Sequence, residues 1–212
     1  MPPLTLGTHP AIVYVWNQAN SNREFIATNL RRYDTTTGKK SDIVSYQNAS
    51  ITDEQLSADG QWVLFETIYS DHTALQLVRL DGQGLQTLYC QDGKASFSVS
   101  WSPDQKLIVI QKGGSPTAAT LFLGLDLTTG TIQTVLTGIL TFETWYDNSH
   151  FIAANILDSS SSDPATFYMV NTTKHDLQTS DLTMIWQGQS NGYDLIPSTN
   201  SNVLYFGQGA LI

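Results

Sequence analysis

The sequence predicts an all-β protein built from four to five repeated units, each holding about four short antiparallel strands. Three observations predict this fold class. A turn motif recurs along the chain, and a second series of turns follows it at a nearly constant distance. The segments between turns are rich in β-branched, aromatic and leucine residues. No stretch shows sustained helical spacing with a cap and a stop.

The first turn series is clearest in "LSADGQWVLF" (56–65) and "WSPDQKLIVI" (101–110), which begin 45 residues apart. Both contain Ser, a small residue and Asp before an apolar run that is typical of a strand. Weaker matches to this motif lie before and after these two stretches, and we call each occurrence of the motif an anchor. The five anchors begin at Gly7, Ser57, Ser102, Tyr146 and Ser198, with spacings of 50, 45, 44 and 52 residues.

The second turn series lies 27, 24, 24 and 25 residues after the first four anchors, at Asp34, Asp81, Asp126 and Asn171. Asp or Asn at the start of a turn accepts a hydrogen bond from the backbone two residues on, and a later glycine supplies a positive φ. Each period therefore places one strand before the anchor, one after it, one before the Asp turn and one after that. Four antiparallel strands in about 45 residues are the unit of a β-propeller blade.

We therefore predict a β-propeller of four to five four-stranded blades, as a partial or irregularly closed ring. The prediction is one domain over residues 1–212, with repeats at about 3–50, 51–94, 95–138, 139–190 and a partial one at 191–212. The partial repeat holds two strands, because the next Asp turn would fall beyond Ile212. We expect the strands of 3–15 and 193–212 to lie side by side and close the ring within a monomer; dimerisation through them is the alternative.

One stretch resembles a known repeat. "SWSPDQKLIVI", with "LDLTTG" placed 24 residues after Ser102, resembles the repeat of TolB-like propellers, which are related to WD-repeat blades. The Gly-His and Trp-Asp dipeptides typical of WD repeats do not occur, so a WD-repeat protein is the poorer match. The resemblance implies a binding platform, either free or as the gate of a serine peptidase, and an extracytoplasmic location. "MPPLTL" has no signal-peptide features.

Composition excludes several partners and sites. Only 14% of residues are charged and the net charge is −9, which disfavours binding to nucleic acids and to anionic membranes. No apolar run approaches the ~18 residues of a membrane span, so no membrane insertion is expected. Cys90 is the single cysteine, so neither an intrachain disulfide nor a cysteine zinc cluster is predicted. It follows a strand-like run, and we expect a half-buried structural thiol.

The candidate binding residues lie in the loops that join blades and in those that join second and third strands, where propellers place their ligand face. Solvated loop residues without a role are the alternative interpretation. The candidates are Trp16, Arg23, Asp71, His72, Lys112, Asp158, Asp163, Trp186 and Tyr193.

No motif predicts catalysis, a metal or a cofactor. The chain has no G-x-S-x-G elbow and no phosphate-binding glycine loop, and its four histidines show no metal-ligand spacing. The sequence therefore predicts a non-catalytic binding or scaffold module that recognises a protein, peptide or glycan. The alternative is the substrate-gating propeller of a larger serine-peptidase-type hydrolase whose catalytic domain is not in this chain. A catalytic propeller of the lactonase or glycosidase sort is a third hypothesis.

Overall fold

The computed structural model describes residues 11–22, 25–155, 164–188, 193–197 and 204–208. These residues form eighteen β-strands and one short 3₁₀ turn, and none of their helices could span a membrane. The all-β prediction is therefore confirmed. The chain divides into two compact units, Met1–Ser96 and Phe97–Ile212.

The first sheet of unit 1 has three antiparallel strands in the order of the chain. They are β1 (Ala11–Ala19), β2 (Phe25–Asp34) and β3 (Lys40–Gln47). The predicted Asp turn joins β2 to β3. The Asp34 carboxylate accepts hydrogen bonds from the backbone N–H groups of Thr36 and Thr37, both at 2.9 Å, and Gly38 has a φ of 70°. Few residues other than glycine adopt that φ without strain.

The second sheet has four antiparallel strands, also in chain order. They are β4 (Ser50–Leu56), β5 (Trp62–Ile68), β6 (His72–Arg79) and β7 (Gln86–Asp92). β5 and β6 are buried along most of their length, whereas β7 is largely exposed. Cys90 lies in β7 and is exposed, so the expectation of a half-buried thiol was wrong. The reason is that the fourth strand forms the outer edge of the sheet.

The third sheet, in unit 2, repeats this plan. Its antiparallel strands are β8 (Phe97–Trp101), β9 (Leu107–Ser115), β10 (Ala118–Asp126) and β11 (Ile132–Gly138). The anchor turn between β8 and β9 has the same bonds as the one before β5. Ser102 Oγ lies 2.8 Å from Asp104 Oδ1 and accepts the Leu107 N–H at 3.0 Å. The repeated motif in the sequence therefore forms the same turn in both sheets.

The fourth sheet has one irregular connection. Its strands β12 (Leu140–Trp145), β13 (His150–Asn155), β14 (Ala165–Asn171) and β16 (Thr183–Gly188) are antiparallel neighbours in that order. Between β14 and β16, the two-residue strand β15 (Leu177–Gln178) instead pairs in parallel with β11 of the third sheet. It covers the outer edge of that sheet, which the sequence did not predict.

Two further strands, β17 (Tyr193–Pro197) and β18 (Leu204–Gln208), pair antiparallel, as expected for the partial last repeat. Ring closure through the terminal strands, the extent of the single domain and the repeat bounds stay predictions. Residues 1–10, 198–203 and 209–212, on which closure depends, lie outside the described residues.

Each unit has its own apolar core between sheets. In unit 1, Leu30, Val63, Phe65 and Val78 are fully buried. In unit 2 the core between the third and fourth sheets is aromatic, and the ring centroids of Phe122 and Phe151 lie 5.6 Å apart. Burial of this apolar surface is the main favourable contribution to folding.

Candidate functional site

The two ends of each sheet differ in how its strands are joined. We call the end with the anchor turns and Asp turns the turn end, and the end with the second-to-third hairpins and the connections between sheets the loop end. At the loop end of unit 1, three segments surround an open cleft of about 340 Å³. This loop cleft is lined by Asn48, Ala49, Ser50, Ile68, Tyr69, Ser70 and Lys94.

The hairpin between β5 and β6 forms one wall of the loop cleft. The Tyr69 N–H donates to the His72 carbonyl oxygen at 2.8 Å, which closes a tight turn over two residues. The rings of Tyr69 and His72 stack with centroids 4.3 Å apart and an interplanar angle of 11°. His72 Nδ1 lies 2.7 Å from Asp71 Oδ1, and this hydrogen bond lowers the pKa of Asp71 below its usual value. The stacked pair therefore has a defined orientation beside the cleft.

A second tyrosine supports the first. The Tyr46 ring meets Tyr69 edge-on, with centroids 6.1 Å apart, and its hydroxyl donates to Gln76 Oε1 at 2.8 Å. The Thr67 hydroxyl donates to the same oxygen at 2.7 Å. Burial raises the pKa of Tyr46 to about 12 and also raises that of Tyr69. Both phenols are therefore neutral at physiological pH, and the aromatic part of this wall carries no charge.

The segment after β7 places a positive charge at the cleft. The Gly93 N–H donates to the Asp71 carbonyl oxygen at 2.7 Å, and Ser96 Oγ donates to the buried Glu66 carboxylate at 2.6 Å. These bonds tie both sides of Lys94 to the second sheet. Lys94 itself is exposed and forms no ion pair with another described residue. Its ammonium group is thus available to a ligand.

The structure locates most of the predicted binding residues but does not test their role. Asp71 and His72 lie next to the loop cleft. Trp16, in β1, is 47% exposed and has the Arg31 guanidinium 5.4 Å from its ring centroid. The remaining candidates belong to other parts of the chain or are not described.

In unit 2, Lys112 lies in β9 and Tyr193 in β17. The Trp186 ring packs on Phe167 with centroids 5.5 Å apart. Arg23, Asp158 and Asp163 fall outside the described residues. All nine assignments stay predictions. Of the six candidates that the structure describes, Asp71 and His72 alone lie beside the same cleft.

Several residues of the cleft were not singled out from the sequence. Tyr69 lies in a loop between second and third strands and Lys94 in a loop between sheets, and the sequence predicts the ligand face in loops of these two kinds. Asn48 lies between the first and second sheets and has a φ of 62°. Tyr46 had no sequence signal, because its position behind Tyr69 depends on how two sheets pack.

The cleft offers binding groups rather than an activated nucleophile. Ile68 and Tyr69 supply apolar surface, Asn48 supplies an amide and Lys94 a positive charge. Among the described residues, neither lining serine donates a hydrogen bond to a histidine, and no group of three or more His, Cys, Asp or Glu side chains could hold a metal ion.

Comparison with known proteins supports the fold. No family model and no curated protein matches the sequence. Among solved structures, the β-propeller domain of the Trilobed protease from Pyrococcus furiosus is similar over 99% of this chain and 68% of its own, with a TM-score of 0.62 and 13% identity. TolB from Acinetobacter baumannii is similar over 88% of this chain and 46% of its own, with a TM-score of 0.55 and 13% identity.

A third neighbour is an oligogalacturonate lyase from Vibrio parahaemolyticus, with a TM-score of 0.58 and 14% identity over 88% of this chain and 53% of its own. The chain thus spans about half the length of TolB and of this lyase. At such identities the likeness shows the fold alone. Together with the repeated four-stranded sheets, it shows that the chain has a TolB-like β-propeller fold.

Proposed function

We propose that this chain is a non-catalytic binding module that recognises a peptide segment of a partner protein through the loop cleft. One observation carries the proposal: a backbone hydrogen bond from Gly93 to Asp71 ties the segments that carry Lys94 and Tyr69 together at one open cleft, and the Tyr69 ring stacks on His72. A site that is formed before binding avoids the cost of ordering its loops. Tyrosine is also among the residues that contribute most to protein interfaces.

The cleft favours a ligand with an apolar side chain beside a carboxylate. The apolar group would contact Ile68 and Tyr69, and the carboxylate would pair with Lys94. A carboxylate is otherwise poorly matched to this chain, whose net charge is −9, so Lys94 would determine where it binds. A glycan that stacks on Tyr69 is the alternative ligand.

A phage-displayed library of random peptides, selected on the immobilised chain, tests the proposal. We expect enrichment of peptides that contain an acidic residue next to an apolar one. Tyr69→Ala and Lys94→Glu should each raise the Kd of a selected peptide about tenfold or more. Lys39→Glu, a matched change of an exposed lysine at the turn end, should leave it unchanged. Equal binding by the wild type and both cleft variants would contradict the proposal.

The second candidate function is the gating propeller of a larger hydrolase. It is favoured by the Trilobed protease, whose propeller domain is similar over 99% of this chain. Sequencing the reading frame beyond Ile212 tests it. A G-x-S-x-G motif followed by Asp and His would support a gate, and a stop codon soon after Ile212 would exclude that arrangement.

A further inference from the structure

We propose that a groove at the turn end of unit 2 is a second binding site, and that it takes a neutral oligosaccharide. The groove has a volume of about 420 Å³ and lies between the turn ends of the third and fourth sheets. That volume falls within the range of roughly 300–1,000 Å³ typical of small-ligand sites. We call it the turn groove.

The floor of the turn groove is apolar. Leu107, Gly124 and Val135 line it. A Cβ atom at Gly124 would lie 3.0 Å from Val135 Cγ2 and 3.5 Å from Leu107 Cδ1. The space beside Gly124 is therefore already filled by these two side chains. Val135 is almost fully buried, so the apolar surface of the groove comes mainly from the half-buried Leu107, on which the C–H groups of a sugar ring can pack.

The walls carry polar side chains with unused hydrogen-bonding capacity. Gln133, Asn148 and His175 line the groove, and none of the three makes a side-chain hydrogen bond to another described residue. Each of them can donate and accept. Sugar hydroxyls do both as well, so planar amide groups suit them.

A carboxylate beside these groups is held rigidly. Asp126 Oδ1 accepts hydrogen bonds from the Thr128 N–H at 2.7 Å, the Thr128 hydroxyl at 2.6 Å and the Thr129 N–H at 3.1 Å. These bonds lower the pKa of Asp126, so the group is an ionised acceptor at neutral pH. Its Oδ2 atom accepts no hydrogen bond from another described residue, which leaves it for a ligand hydroxyl.

The segment that carries His175 is fixed at both ends. Thr172 donates its N–H and its hydroxyl to the Ser149 carbonyl oxygen, both at 2.8 Å. Beyond His175, the Asp176 N–H donates to the Thr134 carbonyl oxygen at 2.9 Å, where the chain begins to pair with β11. The groove is thus formed before any ligand arrives, which lowers the entropic cost of binding.

Charge argues against an anionic ligand. Asp104 and Asp126 line the groove, and Lys106 is the one lysine or arginine among its described lining residues. Lys106 Nζ already lies 3.6 Å from Asp104 Oδ2. A phosphorylated or carboxylated ligand would therefore meet a net negative surface. No group of three or more His, Cys, Asp or Glu side chains in the described chain could hold a metal ion there.

The fold also argues against a peptide. Extended peptides commonly bind by adding a strand to an open sheet edge. The edge beside this groove belongs to β11, where β15 already pairs with Leu136 and Thr137. A ligand bound through side-chain hydrogen bonds and an apolar floor therefore fits better than one bound through its backbone.

An array of neutral oligosaccharides of glucose, galactose, mannose and N-acetylglucosamine, probed with the full chain, tests the proposal. Titration calorimetry with the strongest binder should give Kd values about tenfold higher for Gln133→Ala and for Asn148→Ala, since each removes hydrogen bonds. Gln86→Ala is the matched control, because Gln86 is also an exposed glutamine on a fourth strand. It should leave the Kd unchanged.

Lys94→Glu, in the loop cleft, should also leave sugar binding unchanged, so this test is independent of the proposed peptide site. The absence of binding to every sugar on the array would overturn the inference. So would a sugar whose Kd is the same for the wild type and for both groove variants. The inference would also be wrong if a random peptide, and no sugar, bound the chain and if Gln133→Ala and Asn148→Ala abolished that binding. The groove would then take a peptide.

Discussion

The turn end and the loop end of the same sheets are stabilised in different ways. At the turn end, polar side chains bond to their own turn: Ser57 Oγ donates to Asp59 Oδ1 at 2.6 Å and accepts the Trp62 N–H at 2.9 Å. At the loop end, side chains reach across sheets. Tyr46 and Gln76 are bonded across 30 residues, as are Glu66 and Ser96.

Unit 2 shows the same contrast. Ser102 and Asp104 repeat the local bonds of the turn end, whereas Gln111 Oε1 accepts the Phe142 N–H at 2.8 Å from the next sheet. Local hydrogen bonds depend on a few consecutive residues, so they are visible as a repeated motif in the sequence. Long-range bonds depend on packing that no short stretch encodes. The difference explains why one end is regular and the other carries the loop cleft.

Among substitutions that compare the two ends, Gln76→Ala should lower the free energy of unfolding the most. Gln76 is buried and accepts from both Tyr46 and Thr67, so Gln76→Ala leaves two donors without a partner. We expect the free energy of unfolding to fall by about 1–3 kcal/mol, measured by urea denaturation. The exposed Gln86→Ala should change it little. An equally small effect at Gln76 would mean that the bonds across sheets contribute nothing to stability.

A smaller effect is expected for a cap at the turn end. Asp59 accepts from Ser57 Oγ and from the Gln61 N–H at 3.0 Å. Asp59→Ala should lower the free energy of unfolding by about 0.5–2 kcal/mol, the range for lost side-chain caps. Asp59→Asn keeps the accepting oxygen and should lose less. Peptide binding per folded molecule should not change, and its loss without a change in thermal stability would show that the turn is a binding site.

A pH titration sharpens the comparison at the loop end. The pKa of Tyr46 is about 12 in the folded chain against a usual 10.0, so the folded state holds this proton more tightly. Its contribution to stability is complete below pH 10.0 and is lost as the pH rises through about 12. Tyr46→Phe should therefore make the alkaline fall in stability less steep. An unchanged slope in chemical denaturation between these pH values would contradict this.

The smallest effect concerns the Asp71–His72 pair. The pKa of Asp71 lies below its usual 3.8, so the pair stabilises the fold above that pH and ceases to do so as the pH falls through the lowered value. His72→Ala should raise the pKa of Asp71 towards 3.8, which carboxyl carbon NMR can measure. His150→Ala, at the turn end of the other unit, is the control and should leave that pKa unchanged.

The sequence predicted the parts of the molecule that local chemistry determines. The sequence predicted four strands in each repeat and the turns that join them. Among these turns are those at Ser57, Ser102, Asp34 and Asp126, whose side-chain caps are visible as residue types at fixed offsets. The loops that contain Tyr69 and Lys94 followed from the same register.

The remaining features had no comparable signal. β15 contains two residues and lies in no turn motif. Its pairing with β11 depends on how the third and fourth sheets are placed, which the sequence does not show. The site of Tyr46 behind Tyr69 depends on packing in the same way. Gln133 and Asn148 were not among the predicted binding residues, since nothing in the sequence shows that a groove lies between the turn ends of two sheets.

The parallel pairing of β15 with β11 has a consequence for synthesis on the ribosome. The third sheet ends at Gly138, but the residues that cover its outer edge, Leu177 and Gln178, are translated about 40 residues later. A nascent chain that has not yet reached them exposes the β11 backbone, and open strand edges promote association between chains. The fourth repeat therefore protects the third as well as completing its own sheet. Ribosome-bound chains that stop before Leu177 should associate more than chains that extend past β16.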